Sequence, residues 1–173
     1  MPHRSDDDGN ARRPRSPDAH VASKLGAFRS QLLHDLAKDI LIVRSADADG
    51  AVLTSLLRAL LGRQAEAHHI ADVGEARARL IETPPNLVIL RESATAGLRA
   101  VDAIREFRDA GFVGPIVVVC DQLSAPDASH LRQAGALDVI EKDELNSVRL
   151  SLALLKAVGE DPSETIAIAV PKP

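Results

Sequence analysis

Five short strand-like segments, each followed by a stretch with helical character, leave this chain few folds to adopt. Ile40-Leu41-Ile42-Val43 is the clearest run: it is apolar at every position, so a strand built from it must be covered on both faces. Further strands are expected at 65–70, at 86–90 behind Pro84-Pro85, at 115–120 and at 138–141. Between and after them lie helical segments at 50–61, 73–82, 98–110, 127–134 and 145–158, where apolar residues recur at three- and four-residue steps. The inward set of the first of these helices reads Val52, Leu53, Leu56, Leu57 and Leu60, and that of the last Leu145, Val148, Leu152 and Leu155. Strands alternating with helices imply an α/β fold, a doubly wound five-stranded parallel sheet with right-handed crossovers.

The core of such a sheet must be aliphatic here, because 45% of the 173 residues are hydrophobic while Trp and Tyr are absent and Phe occurs three times. That length supports one domain of ordinary size, placed at 39–159, with terminal extensions. Residues 1–16 have almost nothing to bury and are expected to be disordered. Ser16-Pro17-Asp18 reads as a helix start, with Ser as N-cap, Pro at the first position and an acid facing the helix dipole. The additional amphipathic helix, 17–38, carries Val21, Leu25, Phe28, Leu32 and Leu36 as a stripe that must be covered. Leu25, Phe28, Leu32 and Leu36 either pack on their own domain or associate with another copy, and a homodimer is the expectation. For the tail, 160–173, disorder or loose docking is expected, with Ile166-Ala167-Ile168-Ala169-Val170 as an edge strand in the alternative.

A formal net charge of -4 provides no basic footprint, so a nucleic-acid partner is not expected. Cys120 is the single cysteine and cannot form an internal disulfide. No apolar run approaches the roughly 20 residues of a membrane span, and the first residues lack the apolar stretch of a secretory signal. A cytoplasmic location without a membrane partner follows as the expectation.

In an open parallel sheet, ligands bind beyond the carboxyl ends of the strands, here Arg44-Ser45, Arg91-Glu92, Cys120-Asp121 and Glu141-Lys142. Around those ends stand the strings ILIVRSADADGAVLTSLLRAL, PPNLVILRE, GPIVVVCD and AGALDVIEKDEL. Over 39–159 they make the chain resemble the receiver, or CheY-like, domain of two-component response regulators. The resemblance implies the flavodoxin-like strand order 2-1-3-4-5. It also implies an acidic pair after the first strand and an Asp at the end of the third that hold Mg²⁺. That Asp takes a phosphoryl group from a histidine kinase, and a Ser or Thr after the fourth strand and a Lys after the fifth contact the phosphoryl oxygens.

The chain departs from that pattern at most of these positions. The acidic pair falls on Arg44 and Ser45, the phosphoacceptor on Arg91, the Ser/Thr on Cys120 and the aromatic of the fifth strand on Val139, leaving Lys142 in agreement. A guanidinium neither ligates Mg²⁺ nor accepts a phosphoryl group, so a degenerate pocket is expected, without metal or cofactor. Asp47, Asp49 and Asp121 are weighed as an alternative metal site, but helix capping and loop solvation are the expected roles. Arg44, Arg91 and Lys142 would converge on one edge, where they could hold a phosphate, a nucleotide or a partner's carboxylate. The competing and favoured reading is internal neutralisation by Asp47, Glu92, Asp121 or Glu141. Cys120 is expected to be a buried, inert thiol, His68 and His69 surface or edge residues, and His34 a solvated helix residue rather than a phosphorylated one.

The reading that follows is a phosphorylation-independent, receiver-like signalling protein of a bacterial two-component or phosphorelay system, acting by protein–protein contact. Its partner would be a histidine kinase, a response regulator or an output protein, and Arg132, Gln133, Asp143, Asn146 and Arg149 are the candidate contact surface. The alternative is a sensor binding phosphate or nucleotide in the cationic pocket. An enzyme is not expected, since there is no Gly-rich phosphate loop, nucleophile elbow or zinc-ligand spacing. A DNA-binding regulator is not expected, the fourteen residues after 159 being too few for a helix-turn-helix domain.

Overall fold

Residues apolar at every position can be satisfied only between two layers, and the runs at 40–43, 87–90 and 116–120 lie there. A computed structural model describes the backbone of residues 17–43, 48–92 and 99–160, and side chains within them from Gly26 on, Ala48 excepted. The segments 1–16 and 161–173, together with Arg44, Ser45 and Asp47, lie outside the described residues, as do the side chains of Val21 and Leu25. The elements run α1 (Pro17–Ala37), β1 (Ile40–Val43), α2 (Ala48–Leu61), β2 (Ala67–Ile70), α3 (Val73–Glu82) and β3 (Leu87–Glu92). They continue with α4 (Ala100–Asp109), β4 (Ile116–Cys120), α5 (Ala125–Ala134), β5 (Asp138–Glu141), a 3-10 turn (Lys142–Glu144) and α6 (Ser147–Ala157). The five strands pair in parallel in the order β2-β1-β3-β4-β5, as the resemblance implied.

Strand pleating divides the core between the two faces. Leu41, Val43, Val88, Leu90, Ile116, Val118, Cys120 and Val139 meet α3, α4 and α5 through Val73, Ala76, Leu80, Ile104, Phe107 and Leu131. Ile40, Ile42, Leu87, Ile89, Val117, Val119 and Ile140 meet α2 and α6 through Leu53, Leu57, Leu150, Ala153 and Leu154, with Leu36 and Ala37 at the end of α1 joining them. Phe107 is completely buried and, with Phe112 at 5% exposure, supplies the aromatic part of a core built mostly from aliphatic residues.

Three inward faces differ from their expected sets. In α2, Leu53, Leu57 and Leu61 are buried and Leu56 and Leu60 pack at the margin, while Val52 points outward at 53% exposure. In α6 the expected stripe is rotated: Leu150, Ala153 and Leu154 go inward, Leu152 and Leu155 are half-buried, and Val148 is 68% exposed. The cause is the 3-10 turn and the Asn146 N-cap, which start the helix two residues later than the periodicity placed it. In α1, Leu36 is buried in its own domain beside Leu33 and Ala37, so it is not available to a second copy. Leu32 is half-buried and Phe28 is 62% exposed. The helix is further tied to its own domain by an Arg29–Glu160 ion pair at 2.7 Å and by the Asn86 amide donating to the Asp35 carbonyl at 2.8 Å.

Arg149, expected on the exposed contact surface, is instead a structural residue. Asp138 at the start of the edge strand β5 is 1% exposed, and Arg149 donates from Nη1 to its Oδ2 at 2.7 Å and from Nη2 to its Oδ1 at 3.0 Å. The same Nη2 donates to the Val139 carbonyl at 2.8 Å, while Asp138 Oδ1 accepts the Val139 N–H at 3.0 Å. Side chains thus occupy both main-chain polar groups of Val139 on an outermost strand, where free groups invite another chain to pair. Burial opposes ionisation of Asp138, but the Arg149 hydrogen bonds and charge outweigh it, with Lys156 Nζ at 3.3 Å behind them. The carboxyl is therefore held below its ordinary range.

A carboxyl whose folded pKa is depressed stabilises the fold above its unfolded value and loses that contribution as pH falls through the folded value. Arg149→Ala is expected to cost about 3 kcal/mol at neutral pH, since it strands a buried carboxylate with Lys156 alone. In urea unfolding measured across pH, the deficit against the native chain should shrink below about pH 4, where the unfolded-state carboxyl starts to protonate. A pH-independent deficit would show that lost packing, not lost charge, is responsible.

Candidate functional site

The carboxyl ends of β3, β4 and β5 open on one edge of the sheet, and the side chain at its centre is Arg91. As an odd-numbered residue of β3 it follows Leu87 and Ile89 onto the α2/α6 face, and its side chain is 7% exposed. A guanidinium retains its charge in such a position, so it needs carboxylates within reach. Two are present. Nη1 meets Asp49 Oδ2 at 2.7 Å and Nη2 donates to Asp121 Oδ1 at 3.0 Å.

Asp49 reaches Arg91 because α2 begins at Ala48, earlier than its periodicity indicated, which puts Asp49 inside the first turn rather than at the cap. Its Oδ2 also accepts from Lys142 Nζ at 2.8 Å, so one carboxylate bridges two cations. The hydrogen bond from Lys142 holds the Asp49 carboxyl below its ordinary range, with the Arg91 charge acting in the same sense against desolvation. The reciprocal bond raises the Lys142 ammonium above its ordinary value. Asp49, Asp121, Arg91 and Lys142 together carry no formal net charge.

Of the residues expected at this edge, the structure joins Arg91 and Lys142 through Asp49, and Arg44 and Ser45 lie outside the described residues. Asp121 was among the acids expected to neutralise the cations; Asp49 was read as a cap, and its part here was missed. Glu92 turns to the other face, as pleating requires, and its Oε1 accepts the Ala100 N–H at 3.1 Å. It thereby caps α4, whose own N-cap Arg99 makes no side-chain capping hydrogen bond.

Cys120 is buried, and its thiol donates to the Ile140 carbonyl at 3.6 Å. Burial, reinforced by the charges of Glu92, Glu141 and Asp121, pushes its pKa up to about 11, so a thiolate is disfavoured at neutral pH. Among the described residues no group of three or more His, Cys, Asp or Glu could hold a metal ion. An added anion would have to displace Asp49 from two cations at once.

Elsewhere, Arg132, Gln133 and Asp143 are exposed, and Asn146 is exposed while its Oδ1 accepts the Arg149 N–H at 2.9 Å. His34, His68 and His69 are exposed, with His69 Nε2 2.9 Å from Thr54 Oγ1 and His68 Nε2 3.9 Å from Asp39. A hollow of about 410 Å³ that sequence reasoning did not indicate opens beside Glu92, lined by Arg99, Arg105, Gln122 and His130. Its two arginines flank Asp102 at 3.6 and 3.7 Å. No helix among the described residues is long and apolar enough to cross a membrane.

No family model and no curated protein matches the sequence. Solved structures do match. The receiver domain of a sensor histidine kinase from Pseudomonas aeruginosa PAO1, solved with a magnesium ion in its active-site cleft, is 21% identical with a TM-score of 0.59, over 72% of this chain and 99% of that one. A CheY-like response regulator receiver protein from Methanospirillum hungatei JF-1 is 23% identical with a TM-score of 0.57, over 73% and 98%. The receiver domain of NtrX from Brucella abortus is 24% identical with a TM-score of 0.56, over 71% and 100%. The five-stranded parallel sheet in the order 2-1-3-4-5, with helices packed around it, is the CheY-like flavodoxin fold of these receiver domains.

Proposed function

We propose that this chain is a phosphorylation-independent, receiver-like signalling protein that acts by binding another protein, a pseudo-receiver rather than an enzyme. The observation that carries the reading is the Arg91 guanidinium, buried at the end of β3 and held by Asp49 and Asp121. In the receiver pattern that position carries the acceptor carboxylate. Arg91 has no oxygen to accept a phosphoryl group, and the carboxylates near it are engaged by cations that a divalent metal would have to displace. Constant ion pairs then set the conformation of this edge. A histidine kinase, a response regulator or an output protein is the kind of partner such a domain serves, in the cytoplasm of a bacterial two-component or phosphorelay pathway.

Incubating the folded chain with acetyl phosphate and Mg²⁺ should leave its intact mass unchanged, and a hydroxylamine-sensitive acyl phosphate adduct on any aspartate would overturn the proposal. Titration with phosphate or nucleotides should give no heat; binding that disappears in Arg91→Ala would favour the anion sensor instead. Arg91→Ala itself should lower stability by about 2 kcal/mol, because it empties a buried position and releases two carboxylates from their partner.

Self-association through α1 belongs to the same proposal, supported by the exposed ring of Phe28 on a helix whose buried side chains, among those described, are Leu36 and Ala37 in the last turn. Sedimentation of the full chain should give a dimer mass, and Phe28→Glu should shift it to the monomer without altering the helical signal. An identical mass for both proteins removes the homodimer.

A further inference from the structure

Opposite the Arg91 edge, where the strands begin, the surface is apolar and indented. A groove of about 440 Å³ runs between the segments entering β4 and β5 and the end of α6, with Pro115, Ala136, Leu137 and Ala157 among its lining residues. A neighbouring hollow of about 350 Å³ continues it past Val113 and Gly114 to Pro84 and Pro85. Val113 is 95% exposed and Leu137 38%, so this is a run of unpaired apolar surface.

Its floor is held in shape. Arg108 donates from Nη1 to the carbonyls of Phe112 and Gly114, both at 2.8 Å, and from Nη2 to that of Gly135 at 2.7 Å. Its guanidinium also lies 5.7 Å from the centre of the Phe112 ring. The ring leaves no room at Gly114, where a Cβ would stand 2.6 Å from its Cζ. Gly135 adopts φ 120°, which disfavours a side chain there as well.

We propose that the apolar run Ile166-Ala167-Ile168-Ala169-Val170 of the same chain docks in this groove. The groove lining includes Gly159, and the described chain ends one residue later at Glu160. Six residue steps separate Glu160 from Ile166, a reach of up to about 20 Å, and an extended run of five residues covers about 17 Å more. The origin of the segment therefore lies at the groove, and its length suffices to follow the groove past Val113. In extended form its pattern puts Ile166, Ile168 and Val170 on one side and two alanines on the other, an apolar edge suited to a narrow depression. Pairing as a further strand beside β5 is disfavoured, because Asp138 and Arg149 already occupy the main-chain groups of Val139. Pro162 and Pro171, which bracket the run, fit a side-chain-driven contact better than a hydrogen-bonded ladder.

The test compares amide and methyl NMR spectra of the full chain with those of full-length Ile166→Asp/Ile168→Asp, over a range of protein concentrations. The expected result is shifts concentrated at Val113, Gly114, Leu137 and Ala157, no shift at Asp49 or Lys142, and no dependence on concentration. A parallel variant, Val113→Asp, alters a fully exposed position and should reproduce the shifts of the tail resonances without unfolding the domain. Groove resonances that ignore the tail substitutions would overturn the proposal. Shifts that appear only as concentration rises would assign the groove to the tail of a second copy, which overturns docking within one chain.

Discussion

A guanidinium that stays charged at any pH the protein meets cannot end a buried strand without carboxylates beside it. Arg91 is in that position, and much of the arrangement at the carboxyl edge follows. Asp49 must face inward from the first turn of α2, Asp121 must follow directly on β4, and Lys142 shares Asp49 from the end of β5. Four elements that in an open sheet end independently are thereby joined by charge. The cluster closes on itself electrically, with each cation matched by an acid already in contact, so it lacks the excess charge that a loosely held ion would need. Exposure of Asp49 and Lys142 to water weakens each surface pair taken alone. The bond that matters most is the one made by the almost fully enclosed Arg91.

The same arrangement recurs at the other end of β5. There Asp138 takes the part of Asp49, lying under Arg149 and Lys156 as Asp49 lies under Arg91 and Lys142. The two acids differ in surroundings: Asp138 is enclosed, whereas Asp49 is partly open. Both clusters bear on β5 and the chain leading into α6. Lys142 sits in the turn before the helix, Arg149 in its first turns and Lys156 near its end, so α6 is fastened along its length by charge as well as by Leu150 and Leu154.

The alternation of strand-like and helical segments was enough to place all five strands. A run apolar on both sides, such as β1, β3 or β4, has no stable position except inside a sheet, whereas β2, with His68 and His69 exposed, was placed by its turn in the alternation. Boundaries were less legible. The Asn146 cap and the 3-10 turn moved the start of α6, and with it the face that Val148 presents, since capping is a competition among neighbouring polar side chains that periodicity does not register. At the site, the sequence placed Arg91 and Lys142 at one edge through strand alternation alone. It left the identity of the neutralising acid open, because Asp49 stands 42 residues before Arg91 and 93 before Lys142. Only the start of α2 at Ala48 determined which way that carboxylate faces. Arg149 was misread for a similar reason: a charged residue in a first helical turn reads as solvated until a buried acid, here Asp138, is found beneath it.

The two edges of the sheet consequently offer different chemistry. At the carboxyl edge, the described side chains of Arg91, Lys142, Asp49 and Asp121 satisfy one another, and a partner would have to break those contacts to gain new ones there. At the amino edge, the carbonyls of Phe112, Gly114 and Gly135 are gathered inward onto Arg108, which leaves the surface above them without a strong polar demand. Burial lowers the pKa of Arg108, yet an arginine remains cationic there and keeps all three carbonyls engaged. A surface whose main-chain groups are already satisfied from below gains from apolar contact and loses little by giving up water. Contact at this edge is therefore favoured by burial of side chains such as Val113 and Leu137, and its strength should depend weakly on salt. Any contact centred on the carboxyl edge, where the exposed groups are Lys142, Asp143 and their neighbours, should depend on it strongly.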